Sequence, residues 1–162
     1  MTISPEAFRD ALRHFPSGVT LVALRAGTEI HGLTVSAFAS VSPEPPLISV
    51  MLDHRHRAFE LLRRPGATFS VNILGEDQKE LSEIFAWRPE PERFRHGTWT
   101  VAVTGAPVLA DALAWLDCRI FSRMTAGTHE LVVGEVVASG VPRANSRPLV
   151  YWNRGYRRLA SD

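Results

Sequence analysis

Apolar and polar positions change rhythm many times along this chain, and each change marks a short element. Phe8, Leu12 and Phe15 recur at helical spacing. They follow Ser4-Pro5-Glu6, where Ser4 can cap, Pro5 fits the first turn and Glu6 suits the positive end of the helix dipole. Pro16 stops that helix. Residues 19–24 then read as a strand, Ala26-Gly27-Thr28 as a turn, and residues 29–36 as the returning strand of a hairpin. Pro43, Pro45 and Pro46 break regular structure before a strand at 47–52.

The same reading predicts a short helix over 57–64, ended by Pro65-Gly66, and a strand over 68–74. A second helix follows over 78–85, capped by Asp77 and carrying Leu81, Ile84 and Phe85. Residues 88–97 mix arginine, proline and glutamate without period, the pattern of a flexible surface loop or lid. Strands resume at 99–103, 114–123 and 129–139, and the chain closes on 149–152 and 156–159. Strands dominate and there is no regular alternation of strand and helix. The expected fold class is therefore mainly β, an antiparallel barrel with short helices packed outside, in a single domain over 1–162.

Composition narrows the function classes. The chain has 162 residues, 45% hydrophobic and 22% charged, with a net charge of +1. That balance gives no electrostatic case for nucleic acid, which needs a concentrated basic face. Lys79 is the only lysine, so the cations are otherwise guanidinium groups, which match phosphate geometry; a genome-level codon bias accounts for the same skew. The single cysteine, Cys118, rules out an internal disulfide and an all-cysteine zinc site, and its apolar strand favours a buried thiol. No apolar run reaches a membrane span, and the first residues lack the order of a signal peptide, so the expected location is cytoplasmic.

Several chemistries are missing. No two glycines stand two apart, so the Rossmann fingerprint cannot be written. There is no P-loop, no His-Glu-x-x-His and no Gly-x-Ser-x-Gly. His54 and His56 alternate on one strand face but lack a third ligand, and no metal is expected. What stands out is residues 31–52, where Thr34, Ser36, Ser40 and Ser42 lie between two apolar runs. Short hydroxyls beside approachable backbone suit a wall around a flat, polar-edged ligand.

Taken in order, the segments resemble the short-chain flavin reductases, the reductase components of two-component flavin-dependent monooxygenases. The likeness is carried by residues 15–22, by Gly32-Leu33-Thr34-Val35-Ser36-Ala37-Phe38 and by Ser40-Val41-Ser42 followed by Pro45-Pro46-Leu47. It continues through residues 69–74, Leu81-Ser82, Phe85-Ala86, residues 105–109 and 112–119, and Gly127, His129 and Gly134-Glu135-Val136. The resemblance implies an FMN-binding split barrel, FMN or FAD as cofactor, NADH or NADPH as electron donor, a homodimer, and a separate monooxygenase receiving reduced flavin.

It also implies roles. Thr34, Val35, Ser36 and Ala37 would follow the ribityl chain and ring of the flavin. Ser40, Val41 and Ser42 would meet the isoalloxazine edge. His129 would lie beside the nicotinamide as the catalytic residue. Tyr151, Trp152 and Tyr156 would stand near the mouth, and Phe85 and Tyr156 complete the cofactor-binding set. Two positions depart from the family pattern. Thr128 replaces the usual Asp before the histidine, and Asp53-His54-Arg55-His56-Arg57 replaces a loop that commonly offers Ser or Thr to the flavin phosphate. Arg55, His56 and Arg57 are the expected substitutes, as charge-assisted donors at a helix start. Two other readings use the same fold: a flavin-binding electron carrier without turnover, and an enzyme using a deazaflavin or pyridoxine phosphate.

Overall fold

The computed structural model describes residues 2–160. Helix α1 (Pro5–Leu12) begins as its sequence requires, with Ser4 accepting a hydrogen bond from the Ala7 amide at 3.2 Å. Its apolar stripe is not buried, however: Phe8, Leu12 and Phe15 are all more than half exposed. The chain then forms β1 (Ser17–Gly18), β2 (Thr20–Ala26), β3 (Glu29–Val35), β4 (Phe38–Pro43) and β5 (Pro46–Asp53). After α2 (Arg57–Leu62) come β6 (Thr68–Ile73), α3 (Lys79–Trp87), α4 (Glu90–Arg93), β7 (Trp99–Val101) and β8 (Pro107–Leu109). The long β9 (Ala114–Ala126) and β10 (His129–Gly140) precede the small hairpin β11 (Val150–Trp152) and β12 (Gly155–Arg157).

Seven strands make one antiparallel sheet in the order β3-β2-β6-β9-β10-β5-β4. Inward residues of six of them, among them Val22, Leu33, Val50, Phe69, Cys118 and Val132, meet in one core, so the sheet curls round its own apolar face. The edge strands β3 and β4 are consecutive in sequence yet do not pair, which makes the barrel a split one. Opposite the bulge that Phe121 makes in β9, between Val133 and Gly134 of β10, Gly134 lies against Phe69, and a Cβ there would enter the aromatic ring. A second core, containing Leu21, Phe85, Leu109 and Leu149, joins α3 and the chain ends to the barrel.

Cys118 is fully buried, and burial, with Asp117 beside it, pushes its thiol up to about 12. It is packing material. Asn72 donates to the Leu21 carbonyl and accepts from the Leu109 amide, which latches the short β8 onto the barrel. No helix among the described residues is long and apolar enough to cross a membrane.

Four sequence expectations need correction. Pro43 to Pro46 do not interrupt the sheet: they sit at the turn of the β4–β5 hairpin, where Glu44-Pro45 is cis. Asp77 does not cap α3, because its carboxylate is held by Arg143 at 2.9 Å and Gln78 occupies the cap position. The expected lid at 88–97 contains α4 and is anchored, since Phe94 packs on Phe85 and Arg93 donates to the Gly32 carbonyl at 2.6 Å. The expected strand at 99–103 stops at Val101 and is paired to β8 rather than to the main sheet.

Candidate functional site

A three-stranded sheet, β1-β11-β12, lies outside the barrel and joins the two ends of the chain, with Ser17 opposite Tyr151. A cleft runs along the seam between this small sheet and the split edge. Its first cavity has a volume of about 470 Å³ and is walled by α1, by Ser36, Ala37, Phe38 and Ala39 at the β3–β4 join, and by Met51, Tyr151 and Trp152. A second, about 280 Å³, opens between Thr34, Ser36, Ala86, Trp87, Tyr151 and Tyr156. A third, about 580 Å³, continues past Tyr156 to Arg154, Arg157 and Arg158. Tyr151 borders all three.

The 34–42 segment divides its residues between cleft and scaffold. Ser36 borders two cavities and its hydroxyl meets no described residue; Ala37 forms the wall beside it. Thr34 reaches the second cavity, but its hydroxyl already donates to the Ser82 carbonyl at 2.6 Å. Val35 is a core side chain, 6% exposed, so only its backbone is available to a ligand. Ser40 and Val41 are exposed on the edge strand outside the cavities. The Ser42 hydroxyl is taken up by the hairpin turn, donating to the Glu44 carbonyl and accepting from the Glu44 amide. A hydroxyl-rich stretch thus keeps one group, Ser36, free in the cleft.

Tyr156 closes the second cavity. Its hydroxyl lies 2.9 Å from Ser82 Oγ, and its ring meets Tyr151 edge to face at 5.4 Å. Ser82 is wholly buried, and through its carbonyl and hydroxyl it ties β3, α3 and β12 together. Phe85 stands apart from the cleft: it is fully buried against Gly32, Phe94 and Trp99, and its side chain cannot touch a ligand there. Spacing had put it on the apolar face of α3, and that face turns inward.

The loop after β5 is electrostatically closed. Arg55 makes a forked pair with Asp53, reaching 2.6 Å, and this contact together with the Arg55 amide holds the Asp53 carboxyl far below its ordinary range. Arg57 is bound by Glu29 at 2.5 Å and approached by Glu90 at 3.5 Å. Glu29 also takes Arg64 at 2.6 Å, and the two guanidinium groups, Arg64 first, lower its carboxyl. His56 precedes α2 without a side-chain cap. Of the three residues expected at a phosphate, Arg55 and Arg57 are thus already paired with carboxylates, while the His56 side chain meets no described partner.

His129 opens β10 opposite Asp53, two residues along β5 from the cavity residue Met51. Side chains two apart on a strand share a face, so His129 continues the outer sheet surface beyond the cavity's end. Thr128 Oγ1 lies 3.0 Å from His129 Nδ1 and thus contacts the imidazole where the family pattern has a carboxylate. Sequence reasoning passed over Trp87, Arg154 and Ser82. The turn signal Asn153-Arg154-Gly155 and the exposed end of an amphipathic helix were the traces that pointed to the first two.

The cleft suits a flavin-like ring: it is open, walled by aromatic and small side chains, with one unengaged hydroxyl and backbone at its edge. Comparison with known proteins agrees. A family model described as flavin reductase like domain matches residues 12–160. The reductase component of 4-hydroxyphenylacetate 3-monooxygenase from Thermus thermophilus is 42% identical over 156 residues, 95% of this chain and 96% of that protein. The reductase component of an FADH2-dependent resorcinol hydroxylase from a Rhizobium species is 42% identical over 153 residues, covering 92% and 84%. A crystal structure of the flavin reductase HpaC complexed with NADP+ superposes with a TM-score of 0.88 at 34% identity, over 96% of this chain and 98% of that one. The chain belongs to the flavin reductase-like family.

Proposed function

We propose that the seam between barrel and small sheet is where this chain holds a flavin, with the ring against Ser36 and Ala37 and under Tyr151. The chain is an NAD(P)H-dependent flavin reductase, using FMN or FAD. The observation that carries the placement is the cavity at the β3–β4 join, where Ser36 presents a hydroxyl that no described residue uses.

The bound flavin supplies hydride acceptance and the onward passage of reducing equivalents. The protein's part is positional. Ala37 and Ala39 keep the wall low enough for a flat ring to approach, and Ser36 offers a polar partner at the ring edge. Tyr151, fixed by Tyr156 and through it by Ser82, sets the opposite wall. His129, steadied by Thr128, orients a nicotinamide arriving over the outer sheet face.

Two further parts of the reading concern assembly. Met51, Leu131 and Met124 lie side by side on the outer face of β5, β10 and β9, with Met51 and Met124 exposed. With the bare stripe of α1 they form apolar surface suited to a second copy of the chain, as a homodimer. A separate monooxygenase receives the reduced flavin; the two curated relatives above are named as reductase components of such systems.

Loss of nicotinamide absorbance in the presence and absence of FMN and FAD tests the reading. The protein should oxidise NADH or NADPH only with flavin present. Flavin binding with no oxidation of either donor would leave a carrier, not a reductase. His129→Ala should raise the KM for the nicotinamide roughly tenfold while leaving FMN affinity near wild type. An equal loss of both would make His129 structural.

A further inference from the structure

Resting on the flavin reductase reading, the groove beyond Tyr156 carries a further assignment. Its charged lining is unequal. Asp77 is neutralised by Arg143 at 2.9 Å, and Glu83 is paired with Lys79 at 3.5 Å. What remains is Glu76 facing Arg154, Arg157 and Arg158. Arg157 donates to the Tyr156 carbonyl and lies over the Trp152 ring, whereas Arg154 makes no hydrogen bond or ion pair with any described residue.

The backbone singles out the same residue. Asn153 and Arg154 form the two-residue turn of the β11–β12 hairpin with φ of 48° and 62°, the left-handed region. Glycine would hold the second position without strain, so an arginine there is kept against the backbone's preference. The turn is held in place: the Asn153 amide donates to the Arg13 carbonyl at 2.9 Å, and Trp152 Nε1 donates to the His14 carbonyl at 3.1 Å. Arg154 thereby stands where the ring cavity and the basic groove meet, bordering both. Across the groove Trp87 is 84% exposed at the end of α3 and borders the second cavity as well. Such an exposed indole beside a basic groove fits a planar base followed by phosphate.

We propose that this groove is the docking site for the adenosine diphosphate unit shared by FAD and NAD(P)H, with Trp87 stacking on the purine and Arg154 pairing with the diphosphate. Its volume of about 580 Å³ and its opening into the ring cavity give the unit room while the reactive ring lies beside Ser36. The groove discriminates dinucleotides from mononucleotides.

Calorimetric titrations of wild type, Arg154→Gly and Trp87→Ala test this, using FMN and FAD on the free protein, then NAD+ and nicotinamide mononucleotide on the FMN-loaded protein. Wild type should prefer at least one dinucleotide over its mononucleotide, and each variant should lose roughly tenfold of that preference. Loss confined to FAD assigns the groove to the flavin's adenosine half; loss confined to NAD+ assigns it to the donor's. Arg154→Gly should also melt no lower than wild type, because it relieves the turn, so its weaker binding is not misfolding. Wild-type preferences retained in both variants, or FMN weakened as much as FAD, would overturn the subsite alone. A wild-type protein that binds no FMN would overturn the flavin reductase reading on which it rests.

Discussion

Two arginine-rich regions of this molecule look alike in sequence and differ in what their charge can do. Around α2 and β3, Arg55, Arg57 and Arg64 are each within 2.6 Å of a carboxylate oxygen, from Asp53 or Glu29. Around the β11–β12 turn, Arg154 has no partner among the described residues and borders the cleft. The first region spends its charge within the fold, where it fastens α2 to the β2–β3 hairpin; the second leaves charge for a ligand. Guanidinium groups in a sequence therefore mark an anion site only once their carboxylates have been located.

That contrast predicts a separation of effects: changes near β3 should move stability, and changes near β11 should move binding. The largest effect is expected from Gly32→Ala. A Cβ at Gly32 would lie 2.5 Å from Phe85 and 2.9 Å from Phe94, both held in the second core. Chemical denaturation should show a loss of about 1–3 kcal/mol, with the affinity for FMN in the remaining folded protein unchanged. A variant of wild-type stability would mean that the α3–α4 packing yields easily and that the first region is not the rigid one.

Tyr151→Ala should do the reverse. Tyr151 is 38% exposed and borders every part of the cleft, so FMN affinity should fall about tenfold, the scale of one aromatic contact of about 1.5 kcal/mol. The melting temperature should barely change. Unaltered FMN binding by calorimetry would place the ring elsewhere and erase the contrast.

The smallest effect is a pH dependence confined to the first region. His31 is 3% exposed, with Glu90 at 3.0 Å and the cations Arg93 and Arg57 nearby. Burial lowers its imidazole below the ordinary 6.5, partly opposed by Glu90. The unfolded chain therefore takes up this proton first as pH falls. The contribution of His31 to stability is whole above 6.5 and is lost progressively from there down to the lowered folded-state value. Melting temperatures measured across that window should fall with acidification, and His31→Gln should flatten the slope. An identical slope in the variant would assign the acid sensitivity to other groups.

The sheet was legible in sequence where the strands carry the apolar side chains of the cores. The apolar run of residues 19–24 marks β2, which is buried on both faces between the two cores, the turn at 26–28 marks the return into β3, and alternation over 68–74 marks β6. β4 was not legible, since its exposed residues Ala39, Ser40 and Val41 have no single buried face and prolines surround its turn. α4 escaped for a different reason: its place depends on Arg93 reaching a carbonyl 61 positions earlier. The cleft was half legible. Ser36 stood out in the hydroxyl pattern, and Ala37 and Tyr156 came only from the resemblance; all three border the cleft. The engagement of Arg57 depends on Glu29, 28 positions away, a pairing that no local pattern encodes. Phe85 carried the apolar signal common to core and aromatic binding sites, and only packing distinguishes the two.

The seam itself has one more consequence. Its walls belong to two sheets, and the smaller one is sewn from segments 134 positions apart, Ser17 and Tyr151. Bringing such distant stretches together costs loop-closure entropy that the short β1–β11 pairing must offset. Anything lodged between Met51 on one side and Tyr151 on the other presses on both sheets at once. A flavin held in the seam as proposed would thus also be a rivet: filling the seam and keeping the chain's two arms docked would be a single equilibrium, pulled the same way by mass action.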